Sequence, residues 1–129
     1  MKYVSPLMFL FLSINALAYD EQRALVNFSQ EAAECSAYYL FSSEAPGLDE
    51  NTSNKLKENY AAMFNIAIMS SNAEVSKARL ELSIKTMKRE MNSNWSNMAI
   101  INNKYGYKCI DFANDVDGRL NYWLQKQDD

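Results

Sequence analysis

Two carboxylates, Glu31 and Glu34, stand three residues apart beside a cysteine, Cys35, in a chain of 129 residues that has no histidine. A pair of carboxylates on one cleft can run glycoside hydrolysis, one acting as general acid and the other as base or nucleophile. On a helix, however, acids at this spacing ordinarily form a solvated edge, and nothing near them in sequence marks either as buried. Without histidine there is no nucleophile–His pair and no common general base for neutral pH. His-containing zinc sites are excluded as well, and two cysteines bonded to each other leave no thiolate ligand. Neither a metal nor a cofactor is expected. The run Asp115-Val116-Asp117-Gly118 matches the middle of a calcium loop. With Gly118 at the sixth position, Ala113 and Leu124 fall at the first and twelfth, where oxygen donors are required, so the match fails. The same letters describe an acidic helix start.

The cysteines carry a different chemistry. Cys35 and Cys109 are the only two, 74 residues apart. In an exported chain, two cysteines read as one disulfide. Cys35 falls in the series Leu25, Phe28, Ala32, Cys35, Tyr39, whose steps of three and four define one apolar stripe on a helix. A bond to Cys109 then ties the first helix to the C-terminal region. Aromatic residues gather in the same part of the chain: Tyr105 and Tyr107 flank Gly106, and Tyr122 and Trp123 lie near the end. Such side chains combine apolar area with a polar tip and are enriched at binding hot spots. These four are the candidate binding patch, with core packing at a helix junction as the alternative.

The export assignment comes from the N-terminus. Lys2 precedes the apolar run Leu7–Leu12, and Ala16-Leu17-Ala18 places small residues at the positions a signal peptidase reads. Residues 1–18 are therefore expected to be a secretory signal, cleaved before Tyr19, with residues 19–129 as a single helical domain. The apolar run is shorter than the roughly 20 residues a membrane span needs, so no membrane insertion is expected after cleavage. Removing Lys2 from the 13 basic residues leaves 12 against 16 acidic. With charges interspersed and no basic stripe, nucleic acid is not an expected partner.

Periodicity then supplies the elements. A first helix is expected from an N-cap at Asp20 to about Ser43, stopped by Pro46-Gly47. A second begins near Asp49, carries Leu56, Tyr60, Met63 and Ala67, and ends at Ser70-Ser71-Asn72. Ser71 and Glu74 have capping-box spacing, which predicts a third helix packed antiparallel to the second. Its stripe of Leu80, Ile84, Met87, Met91, Trp95, Met98 and Ile101 stays in phase, with a bend or fray expected at Asn92-Ser93-Asn94 and a full break as the alternative. Gly106 is expected as a C-cap. A short helix through Cys109 and Phe112 follows, then a last one capped at Asn114 or Asp115. No strand pattern survives. The predicted class is all-α, a bundle of four to five helices closed by Cys35–Cys109.

Three stretches, Glu34-Cys35-Ser36-Ala37-Tyr38-Tyr39, Lys104-Tyr105-Gly106-Tyr107-Lys108-Cys109 and Arg119-Leu120-Asn121-Tyr122-Trp123-Leu124, give the chain a loose resemblance. It resembles small exported helical proteins, of no assigned function, from bacteria and their phages. The resemblance implies a disulfide-bonded helical fold and carries over no activity. The expected function is a non-catalytic periplasmic or secreted protein, inhibitor- or immunity-like, that binds another protein. A carrier of hydrophobic small ligands is the alternative, and a cell-wall glycan hydrolase using Glu31 or Glu34 ranks below it.

Overall fold

The computed structural model describes residues 7–126, with side chains described from residue 21 onward. The predicted signal at residues 1–18 therefore lies partly outside the described residues. All elements described are helical: α1 (Leu7–Ser43), α2 (Glu50–Ser70), α3 (Ala73–Glu90), a 3₁₀ turn (Trp95–Asn97), α4 (Met98–Ile101), a π-helical turn (Asn102–Gly106), α5 (Tyr107–Asn114) and α6 (Val116–Gln125). Because α4, the π turn and α5 run on without a gap, five rods make up the described fold, as the all-α expectation requires. None of these helices is long and apolar enough to cross a membrane among the described residues.

The axis of the molecule is α1. Helices α2, α3, α5 and α6 all pack on it, whereas α2 and α3 touch each other much less than they touch α1. From Phe28 to Ser43 it is buried around almost its whole circumference. Small side chains make this possible: Ser29, Ala32, Ala33, Ser36 and Ala37 are completely inaccessible and let neighbouring helices approach closely. Three buried hydroxyls are satisfied locally, since Ser29, Ser36 and Ser43 donate to the carbonyls of Val26, Ala33 and Leu40 at 2.9, 2.7 and 2.6 Å, whereas the Ser42 hydroxyl has no hydrogen-bond partner among the described residues. Phe28, Tyr39 and Phe41 supply the bulk, packed on Met63, Met87, Met91 and Phe112.

The disulfide forms as expected. Cys35 and Cys109 have Cα atoms 5.2 Å apart and join α1 to α5, and both are fully buried. In the chain-entropy model a loop of 74 residues closed in this way contributes roughly 4 kcal/mol. Such a bond is consistent with an oxidising compartment.

Four local expectations are corrected. Asp20 does not start a helix, because the backbone upstream is already helical and α1 is continuous from Leu7. The cap of α3 is Asn72, whose side chain accepts from the Val75 N–H at 2.9 Å. Ser71 instead closes α2, its hydroxyl donating to the Ala67 carbonyl at 2.7 Å. At Asn92-Ser93 the helix does not bend but breaks, with φ of 53° and 52° in the left-handed region that asparagine tolerates better than most side chains. Asn94 then caps the 3₁₀ turn. The stripe from Leu80 to Ile101 nevertheless reaches one core on both sides of the break. Finally, Gly106 is no C-cap: it lies inside the rod with helical dihedrals, where a Cβ would come within 3.1 Å of the Tyr38 hydroxyl.

Candidate functional site

Helix α6 is short and has no fully buried residue, so its position depends on specific contacts as well as on Val116 and Leu120 packing against the core. Its start is fixed by Asp115, whose carboxylate accepts from the Gly118 N–H at 3.0 Å. A Cβ on residue 118 would lie 2.1 Å from that carboxylate, so any other residue there would force the Asp115 side chain out of its present position. Four residues apart on α6, Arg119 and Trp123 share a face and both reach Glu31 of α1. The Arg119 Nε–H sits 2.8 and 2.9 Å from the two Glu31 oxygens, and the Trp123 indole N–H donates to Oε2 at 2.7 Å. Glu31 itself is only 7% exposed. The guanidinium also lies 4.2 Å from the Tyr122 ring centre and 5.4 Å from that of Trp123, within cation–π range. One turn further along α1, Glu34 pairs with Lys108 of α5. Each carboxylate of the predicted pair thus already accepts from a cation of another helix.

Two open depressions meet here. One, of about 630 Å³ between α5 and α6, is lined by Lys108, Asp111, Phe112, Asp115, Arg119 and Tyr122 among others. The other, of about 270 Å³ against α1, is lined by residues including Gln30, Glu31, Glu34 and Trp123. Lys108 and Arg119 line both. The terminal nitrogens of Arg119 have no hydrogen-bond partner among the described residues. The two depressions thus bring carboxylates, cations and aromatic rings to one face.

A second cluster of similar ingredients lies where α3, the π turn and α1 meet. The Tyr105 hydroxyl is 3.1 and 3.2 Å from the Glu90 oxygens, and the Lys104 ammonium is 2.5 Å from one of them. Tyr38 stacks on Tyr105 and donates to the Asn102 side chain at 3.0 Å. Burial pushes the Tyr38, Tyr39 and Tyr105 phenols above their ordinary value, and the bond to Glu90 adds to the effect at Tyr105. The hydrogen bond to Glu90 likewise raises Lys104.

The four candidate aromatics therefore divide. Tyr105 is buried inside this second cluster. Trp123 is half-buried, its ring edge on Glu31. Tyr107 and Tyr122 point outward, 77% and 45% exposed. The structure adds Arg119 and Lys108, which sequence reasoning passed over. Arg119 was detectable in part, since its offsets of three and four from Tyr122 and Trp123 are those of facing side chains on a helix. Its bond to Glu31, 88 residues away, left no local signal. Comparison of the chain with protein families, curated proteins and solved structures returns no match.

Proposed function

We propose that this is an exported, non-catalytic binding or regulatory protein, inhibitor- or immunity-like, that holds another protein on its α1–α5–α6 face. One observation carries the reading. Arg119 is braced by a buried carboxylate, stacked on Tyr122 and set beside Trp123 where two open depressions join. Arg, Tyr and Trp dominate interface hot spots, and side chains fixed before association lose little entropy on binding. The buried disulfide and the N-terminal signal pattern support an extracytoplasmic setting.

The test is affinity capture from periplasmic or culture extract, with partners quantified by mass spectrometry for the unaltered protein and for Tyr122→Ala. Tyr122 is 45% exposed on α6 and its ring contacts lie within that helix, so the variant should stay folded with only a small drop in melting temperature. The expected result is a specific partner whose recovery falls about tenfold with the variant, the equivalent of 1.4 kcal/mol. A partner recovered equally by both, or none enriched, would refute the assignment.

A further inference from the structure

We infer that the group this face takes from its partner is a peptide carboxylate carried beside an ammonium, the carboxylate on Arg119 and the ammonium towards Asp111. The inference rests on the binding role just proposed and specifies its chemistry.

Arginine has five N–H donors in a fixed fork. Here the Nε–H meets both oxygens of Glu31, and one face of the guanidinium is covered by Tyr122. The four terminal N–H groups have no partner among the described residues, and the side chain, 30% exposed, lines both depressions. A contact made only to fasten α6 would be stronger with a terminal nitrogen turned to the carboxylate in the parallel, two-bond arrangement. Instead the fork is held from behind and its end is left open, the geometry that accepts a planar carboxylate end-on. Lys108 borders the same two depressions and adds positive charge, although Glu34 already engages it.

The acidic residues of the groove select what accompanies that carboxylate. The Asp115 carboxylate is engaged as the cap of α6. Asp111 is exposed, lines the groove, and its side chain has no hydrogen-bond or ionic partner among the described residues. A phosphate dianion entering the groove would meet both acids and be repelled. A carboxylate with a neighbouring ammonium satisfies Arg119 and Asp111 together.

The test uses nuclear magnetic resonance on the ¹⁵N-labelled protein, reading the Trp123 indole N–H, the Arg119 Nε–H and the Gly118 amide. Three tripeptide pools with random first and second residues serve as probes: one ending in lysine with a free carboxylate, the same pool amidated, and one ending in norleucine with a free carboxylate. Inorganic phosphate is the fourth probe. At millimolar concentration the free lysine pool should shift all three signals. Amidation should weaken the effect about tenfold, norleucine should weaken it severalfold, and phosphate should leave the signals in place. Asp111→Asn, at an exposed side chain without an internal partner, should abolish the preference for lysine over norleucine while leaving the fold intact. Equal shifts from the free and amidated pools would show a peptide-binding face without carboxylate recognition and overturn the inference alone. So would equal shifts from phosphate, or silence from every pool while Tyr122-dependent capture of a protein persists.

Discussion

The Glu31 and Glu90 clusters are assembled from the same parts and differ in what they leave over. Each has a carboxylate on one long helix that receives a cation and the polar tip of an aromatic side chain: Arg119 and Trp123 at Glu31, Lys104 and Tyr105 at Glu90. At Glu90 the aromatic ring is buried and its hydroxyl is matched, so its contacts are complete within the fold. At Glu31 the carboxylate is buried and the cation's outer donors remain open beside two depressions. Among the described residues, both cations keep N–H donors unmatched at the surface; what separates the clusters is that Arg119 is held against a buried carboxylate beside two depressions, whereas Lys104 is a more exposed side chain that lines neither. The planar guanidinium of Arg119 holds its remaining donors in a fixed fork, whereas an ammonium on a flexible four-carbon stem does not.

Both clusters adjoin the staple, Glu31 four residues before Cys35 and Tyr105 four before Cys109, so the largest effect should strike them together. Replacing Cys35 and Cys109 with alanine is expected to lower stability by roughly 4 kcal/mol in urea unfolding. If tryptophan fluorescence and tyrosine absorbance then reported separate transitions, the two clusters would not share one cooperative unit.

Glu31→Gln should cost about 2–3 kcal/mol, because it leaves a partly buried guanidinium without its charge partner. Glu90→Gln should cost about 1 kcal/mol, since the Lys104 side chain is 56% exposed and water can take over. Equal losses in chemical denaturation would erase the distinction drawn between the sites.

Removing one polar tip at a time sharpens it further. Tyr105→Phe and Trp123→Phe should each cost about 1 kcal/mol. Only the second should weaken capture of the partner, since only Trp123 borders the open depressions.

The smallest effect concerns pH. Tyr38, Tyr39 and Tyr105 hold their protons more tightly in the folded chain than in the unfolded one. The stability they contribute is therefore complete below the ordinary phenol value of 10.0 and is lost as pH rises past it towards the folded-state values. Melting temperature should fall on going above about pH 10, with Tyr105→Phe flattening the decline. An unchanged slope in that variant would assign the loss to other groups.

Much of the scaffold is legible in the residues themselves. The stripe through Leu25, Phe28, Ala32, Cys35 and Tyr39 names the central helix, and Asp49 and Asp115 announce helix starts that do occur. Such features are local, so periodicity and capping chemistry reveal them. The break at Asn92-Ser93 is less so, because apolar phase continues across it; only the tolerance of asparagine for left-handed backbone hints at the change. Misplacing the α3 cap by one residue has a similar origin, as Ser71 and Asn72 are both competent and the choice falls to which one also closes α2. The candidate site is the least legible part. Glu31 reads as one of several acids on a wet edge until folding brings Arg119 to it from 88 residues away.

The π turn at Asn102–Gly106 has a consequence for how the chain tolerates length changes. A wide turn of this kind holds a surplus residue relative to the ordinary spiral. Deleting one residue there, at exposed Asn103 for instance, would let the rod revert to regular winding. Everything beyond would keep nearly the phase it has now, and Cys109 would still face the sulfur it meets. A second deletion in this segment, with no surplus left to absorb it, would turn everything beyond by about 100° and act as an indexing error, scrambling the covalent closure while leaving helix content almost untouched.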